Sequence, residues 1–159
     1  MTIGKKILCF FCLFFVFFEL SYASDTPQLQ EYSVRPIYKG KVADVVLSNS
    51  EKRLFRTRLR ATTKKPVNFA GEYVLTLWGC GANCLLGAAV SQKTGYVVFL
   101  PASVCCWHES SDRLTYQANS RLLIAKGILN ESSEYGAHFY EFTGQEFKLI
   151  KSVSLPRYF

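Results

Sequence analysis

From Gly71 to Val153 the sequence is a series of short apolar runs, each about five to eight residues long, with turn residues between them. Runs of this length are typical of β-strands and are shorter than most helices. Lys93-Thr94-Gly95 and Thr143-Gly144-Gln145 are typical hairpin connections. The pattern predicts an antiparallel meander of about six strands, over 73–78, 85–92, 96–100, 121–128, 137–142 and 146–153.

The residues before these strands predict one helix. Ser48 and Glu51 have the spacing of a capping box, and Pro66 marks the end of the pattern. Between them, four apolar residues fall on one helical face: Leu54, Phe55, Leu59 and Ala61. Because apolar residues also alternate with arginines here, a strand is the alternative. We favour a helix over about 49–62, packed N-terminally on the sheet of an α+β domain.

The N-terminal segment predicts export. Lys5 and Lys6 precede an unbroken apolar run over 7–18, which is shorter than the roughly 20 residues that span a membrane. Ser21-Tyr22-Ala23 places small residues where a signal peptidase reads them. We therefore expect residues 1–23 to be a cleaved signal peptide, an uncleaved anchor being the alternative. Residues 24–159 would then form a single periplasmic or secreted domain, with an irregular lead-in over 24–47 and membrane contact only before cleavage.

Four cysteines follow the signal segment: Cys80, Cys84, Cys105 and Cys106. In an oxidising compartment they predict two disulfides, with three possible pairings. If Gln92 pairs with Tyr96 across the hairpin, Cys84 falls opposite Val104 and beside Cys105. This register favours bridges from the Cys80/Cys84 turn to Cys105/Cys106. The alternative is a local Cys80–Cys84 loop, which leaves Cys105 and Cys106 as a vicinal pair or as two thiols.

The cysteine region could also bind a metal ion or an anion. The four cysteines and His108 could bind zinc, but adjacent ligands are awkward and export favours oxidation. We predict no metal site and no cofactor. The segment 79–83, Gly-Cys-Gly-Ala-Asn, could present backbone N–H groups to an anion, yet a tight turn needs glycine in any case. We favour the structural role.

A cluster of basic residues lies within 52–65, with no acidic residue among them: Lys52, Arg53, Arg56, Arg58, Arg60, Lys64 and Lys65. Such a cluster indicates an anion-binding surface, for which the partner would be another protein or an anionic envelope component. A solvated helix face is the alternative. Although the formal net charge is +7, export and the absence of a recognisable module argue against nucleic acid.

Candidate catalytic groups are few. His108, Glu109 and Asp112 lie together in a loop over 102–113, and such groups could perform acid–base chemistry if they converged in a pocket. No nucleophile elbow, His-Glu-x-x-His motif or phosphate loop accompanies them. We favour a chain without catalytic residues, and a small cell-envelope hydrolase using His108 with Glu109 or Asp112 is the alternative.

Two motifs carry a resemblance: Asn68-Phe69-Ala70-Gly71-x-Tyr73 and Trp78-Gly79-Cys80-Gly81-x-x-Cys84. With Lys93-Thr94-Gly95, Pro101 and Ser120-Arg121-Leu122-Leu123, the block resembles an uncharacterised family of small secreted bacterial proteins, over about residues 50–125. The resemblance implies bacterial export and carries over no activity. Physically, a structural role is expected for the motif residues Asn68, Phe69, Gly71, Trp78, Gly79 and Gly81.

Together these features predict an exported, non-enzymatic binding protein, for which an inhibitor or immunity-like role fits the size, export and lack of catalytic motifs. The hydrolase is one alternative. An envelope-associated protein held by a basic helix is another.

Overall fold

Antiparallel strands dominate the computed structural model, which describes residues 25–81, 83–107 and 113–156. These residues form eight strands: β1 (Tyr73–Gly81), β2 (Cys84–Ser91), β3 (Val97–Phe99), β4 (Val104–Cys105), β5 (Leu114–Thr115), β6 (Leu122–Leu129), β7 (Tyr135–Phe142) and β8 (Phe147–Ser154). One sheet has the order β1-β2-β4-β6-β7-β8, while β3 pairs with β2 and β5 pairs with β6. The predicted antiparallel sheet is confirmed. The two extra strands, β4 and β5, have only two residues each, too few to leave a periodic pattern.

The predicted single helix is wrong. The helical segment, residues 50–64, consists of α1 (Ser50–Leu54), α2 (Arg56–Arg60) and a 3-10 turn (Ala61–Lys64). Phe55 breaks the helix, with φ −95° and ψ 14°, and its ring centroid lies 4.9 Å from that of Trp78 and 5.8 Å from that of Phe99. The break thus lies where an aromatic ring packs onto the sheet, a tertiary contact that helical periodicity does not encode.

The start of the helical segment also differs from the prediction. Asn49, one residue after Ser48, is the N-cap, and its side chain accepts a 2.8 Å hydrogen bond from the backbone N–H of Lys52. The cap satisfies one of the free N–H groups at the helix start. The segment ends before Pro66, as predicted, and the last residue of its 3-10 turn is Lys64.

Two apolar clusters lie on opposite faces of β1 and β2. The Phe69 cluster is lined by most of the strands and includes Phe69, Leu75, Ala89, Leu123, Phe142 and Phe147. The Leu59 cluster lies under the helical segment and comprises Leu59, Trp78, Ala88, Val90 and Val97, with Phe55 and Phe99 packed against it. Leu75 and Trp78 point to opposite faces because they are three positions apart on a strand with a two-residue period. Trp78 therefore joins sheet to helix, in line with its expected structural role.

A third cluster lies on the far face of β6 and β7, where Leu29 and Tyr32 pack against Leu122, Ala137 and Phe139. Leu29–Tyr32 is a 3-10 turn, and the rest of the described lead-in up to Leu47 contains no helix or ladder strand. The lead-in is held at its start by an ion pair between Asp25 and Lys151, whose hydrogen bond and charge lower the pKa of Asp25. The predicted signal peptide, residues 1–23, lies outside the described residues.

The turn before β1 explains the first motif. The Asn68 side chain donates a 3.1 Å hydrogen bond to the Leu75 carbonyl and accepts one of 2.7 Å from the Leu75 N–H. Ala70 and Gly71 follow with φ of 46° and 82°, a left-handed turn that favours glycine. This turn directs Phe69, which is 0% exposed, into the core.

Candidate functional site

Six exposed basic side chains, here called the basic surface, extend along the helical segment and just past its end: Arg53, Arg56, Arg58, Arg60, Lys64 and Lys65. Arg56 and Arg60 are four residues apart within α2, so they share one face of the helix. The segment turns this side to solvent because Leu59 and Thr62, at 0% and 1% exposed, face the sheet. The charge cluster predicted from the sequence is therefore exposed on the outer side of the helical segment.

No acidic side chain neutralises the basic surface among the described residues. The ion pairs there are Arg121–Glu141, at 2.7 Å, and Lys151–Asp25, and neither includes a member of the surface. Local contacts hold three of its arginines. Arg53 and Arg56 donate hydrogen bonds to the carbonyls of Leu47 and Arg53, and the Arg58 guanidinium lies 5.9 Å from the Trp78 ring centroid. The charges are thus positioned but uncompensated, which is the arrangement that attracts an anionic partner.

Lys52 does not belong to this surface, contrary to the prediction. It is 8% exposed, and its Nζ lies 3.3 Å from the Ser48 Oγ and 4.8 Å from the Tyr96 ring centroid. An ammonium over an aromatic ring is stabilised by the ring quadrupole. Lys52 therefore links α1 to the turn between β2 and β3, and its charge faces the protein.

Leu54 stands out beside the basic residues. Leu54 lies between Arg53 and Phe55 in the sequence, and its side chain is 73% exposed. A single exposed leucine needs no explanation by itself. Here it adds an apolar side chain to a basic surface, and this combination can bind either an acidic protein or an anionic lipid interface.

The cysteines take the local arrangement rather than the favoured cross-linked one. Cys80 and Cys84 form a disulfide across the β1–β2 turn, with their Cα atoms 5.2 Å apart. The register of β2 changes after Pro101: Ala88 pairs with Phe99 in β3, but Cys84 pairs with Cys105 in β4. The extrapolated hairpin register, which placed Cys84 opposite Val104, is therefore wrong by one position.

The glycine-rich turn is built around this disulfide. Gly81 and Asn83 have φ of 141° and 55°, conformations that glycine and asparagine accept more readily than other residues. Ala82 lies outside the described residues. The glycine requirement fits the structural role favoured from the sequence.

The candidate catalytic residues His108, Glu109 and Asp112 lie outside the described residues. The other histidine, His138, is 7% exposed, and its ring nitrogens lie 3.0 Å from the Ser152 Oγ and 3.3 Å from the Gly127 carbonyl oxygen. Buried between two strands, His138 has a structural role. Within the described ranges no three His, Cys, Asp or Glu residues converge as metal ligands.

A polar groove of about 220 Å³ brings together residues that are distant in the sequence, and the sequence alone did not predict it. Its lining residues include Glu72, Tyr73, Arg121 and Thr143. Its charged groups already have partners, since Glu72 accepts a 2.7 Å hydrogen bond from Ser91 and Arg121 pairs with Glu141. Burial, together with the Glu72 charge, raises the pKa of the Tyr73 phenol. No local pattern connects these segments, because they come together only when the sheet folds.

Comparison with known proteins identifies no relative. No protein-family model, curated protein or solved structure matches the chain. Across the part of the chain described here, no helix has the length and apolar character needed to cross a membrane. The basic surface is therefore the main guide to function.

Proposed function

We propose that this chain is an exported bacterial binding protein without enzymatic activity, which docks its basic surface on an acidic region of another protein. The observation that carries the proposal is the uncompensated positive charge of the helical segment. Export rests on the signal-like sequence over 1–23 and agrees with the disulfide, and the bacterial source rests on the family resemblance. An inhibitor or immunity-like role is one form that such binding would take.

The way the surface is mounted supports this proposal. Phe55 and Leu59 anchor the helical segment on the sheet, and Lys52 adds a contact with Tyr96. Because the segment is held before binding, less conformational entropy is lost when a partner docks. Close opposite charges across an interface also speed association and select the partner.

The test is charge reversal with a matched control. We expect Arg56→Glu, Arg60→Glu and Lys64→Glu together to weaken association with the partner by more than about tenfold, because close charge pairs contribute well over 1.4 kcal/mol. The control reverses three exposed lysines on other parts of the surface, Lys39, Lys93 and Lys148, and so makes the same change in net charge. Affinity capture from the native cell envelope, with identification of the partner, supplies the measurement.

An acidic protein retained by the native chain and by the control, but lost from the reversed variant and at high salt, is the expected result. If the reversed variant retains the same protein at the same salt, the basic surface is not the docking site.

A second candidate is association with an anionic lipid surface, and the exposure of Leu54 favours it. The variant Leu54→Ser separates the two. Lipid association predicts cosedimentation with anionic but not zwitterionic vesicles, and a loss of that cosedimentation in Leu54→Ser. Protein docking predicts no vesicle binding by either chain. The hydrolase hypothesis stays a prediction, because its residues lie outside those described.

A further inference from the structure

Two pairs of cysteines lie side by side where β1, β2 and β4 meet. The Cys80–Cys84 disulfide closes the β1–β2 turn, and Cys84 is directly opposite Cys105 in the antiparallel ladder. Cys106 follows at once, and its Sγ lies 2.6 Å from the Sγ of Cys105. The second pair is thus two adjacent residues whose sulfur atoms are in contact.

We propose that Cys105 and Cys106 form a reversible redox pair, which closes as a disulfide between adjacent residues, while Cys80–Cys84 is a permanent structural bridge. The chain around the pair supports this. Cys105 is 7% exposed and is held in β4 between Cys84 and Ile128. Trp107 is 8% exposed, and its ring lies 4.2 Å from the Arg113 guanidinium. Cys106 is exposed, and its backbone is held beside Cys105 by an anchored neighbour on each side.

The backbone at Cys106 is held in an unfavourable conformation. Its φ is 59°, in the left-handed region that residues with a Cβ rarely adopt. Its N–H donates a 3.3 Å hydrogen bond to the Asn83 carbonyl in the disulfide-closed turn. Strain that the surrounding fold maintains is typical of functional positions. Here the strained residue is the one whose sulfur atom contacts that of Cys105.

A glycine in β6 makes room for the same geometry. Gly127 has φ of 142°, and a Cβ at this position would overlap the carbonyl oxygen of Cys105. Only glycine therefore permits this approach of β6 to the first cysteine of the pair. The position of Cys105 is fixed from both sides, by β2 and by β6.

The chemistry is thiol–disulfide exchange with an external disulfide, either a small molecule or a protein. In the reduced form the exposed Cys106 thiolate attacks one sulfur of that disulfide, and one external thiolate leaves. The Cys105 thiolate then attacks the Cys106 Sγ and displaces the second external thiolate, which closes the bridge. The protein loses two protons and two electrons, and the external disulfide becomes two thiols.

The two bridges should differ in stability to reduction. Adjacent Cα atoms are about 3.8 Å apart, which is shorter than the roughly 4.4–6.8 Å usual for disulfides, so a bridge between neighbours is strained. The Cα separation of 5.2 Å between Cys80 and Cys84 lies within the usual range. Strained and exposed disulfides are reduced more easily than structural ones.

Trypsin separates the two pairs, which makes a direct test possible. The sequence has no Lys or Arg between Lys65 and Lys93 or between Lys93 and Arg113, so the pairs lie on peptides 65–93 and 94–113. The protein is equilibrated with graded dithiothreitol, its thiols are alkylated, and the digest is analysed by mass spectrometry without further reduction.

Before dithiothreitol is added, each peptide should appear alone, unalkylated and lighter by two hydrogens. Peptide 94–113 should become alkylated at a concentration at least about tenfold lower than peptide 65–93. Three results would overturn the proposal: the two peptides joined in one species, peptide 94–113 alkylated in the untreated protein, or both peptides reduced together.

The variant Cys106→Ser provides the control, since Cys106 is exposed and its replacement creates no cavity. It should leave peptide 65–93 oxidised and make Cys105 open to alkylation after denaturation. A change in the oxidation of peptide 65–93 would instead show exchange between the pairs. Because none of these results involves the basic surface, the redox proposal and the proposed function can fail separately.

Discussion

The Phe69 cluster and the Leu59 cluster each centre on a side chain that is 0% exposed, yet they are built differently. Phe69 packs against Phe142 and Phe147, at ring-centroid distances of 5.3 and 5.9 Å, and strands from both ends of the sheet enclose it. Leu59 projects inward from α2, one of two helices of five residues each, and the outer side of those helices carries the basic surface.

This difference separates the part of the chain that determines the fold from the part that we propose binds a partner. The turn over 68–71 directs Phe69 into the Phe69 cluster, which joins distant strands of the sheet. The helical segment adds a thin outer layer whose inner side packs and whose outer side is available to a partner. Substitutions in the first region should therefore act on stability, and substitutions on the outside of the second should act on binding.

The largest expected effect is that of Phe69→Ala. Removing a fully enclosed phenylalanine leaves a cavity, and we expect a loss of about 3–5 kcal/mol in the free energy of unfolding. Leu59→Ala should cost less, near the lower end of the roughly 2–5 kcal/mol range, because the helical segment can move inward and fill part of the space. Urea unfolding of both variants and of the native chain measures the difference.

A larger loss for Leu59→Ala than for Phe69→Ala would reverse the comparison. It would mean that the helical segment, rather than the enclosed aromatic cluster, dominates the stability of the domain.

A smaller effect on the same cluster is expected for Asn68→Ala. The change removes both hydrogen bonds to Leu75 and leaves its backbone N–H and carbonyl without their partner, at a cost of about 1–3 kcal/mol. Asn119→Ala is the matched control, because the Asn119 side chain makes no hydrogen bond to another described residue, and it should change the free energy of unfolding by less than about 0.5 kcal/mol. Equal losses in the two variants would show that Asn68 does not stabilise the turn.

The sheet could be predicted closely because each long strand carries its own pattern. The runs predicted over 121–128 and 146–153 differ from β6 and β8 by one residue at each end. The helix could not be predicted in the same way, since its break at Phe55 depends on Trp78 and Phe99, which are distant in sequence. Local pattern determines strand positions, whereas packing between elements determines where a short helix is interrupted.

The candidate sites follow the same division. The charge cluster is visible in the sequence, but the burial of Lys52 depends on Tyr96, more than forty residues away. The register beyond Pro101 could not be predicted, because a two-residue strand leaves no periodic pattern. The predicted cross-link is absent for another reason: Cys84 lies opposite Cys105 but is bonded to Cys80 within the turn. Gly127, which accommodates Cys105, could be identified only once β4 and β6 were known to be neighbours.

The smallest expected effect tests the outer side of the helical segment. Arg56 is the first residue of α2, where a positive charge opposes the helix dipole, and it lies four residues from Arg60 on the same face. Arg56→Gln removes both repulsions and keeps a long polar side chain, so we expect the free energy of unfolding to stay the same or rise by up to about 0.5 kcal/mol. Urea unfolding at low ionic strength measures this change in the free energy of unfolding, and high salt should remove the gain.

A loss of more than about 1 kcal/mol would place Arg56 in the structural framework and remove the separation between the two regions. A gain in the free energy of unfolding would mean that Arg56 lowers the stability of the native chain. That result is expected of a residue that serves binding rather than folding.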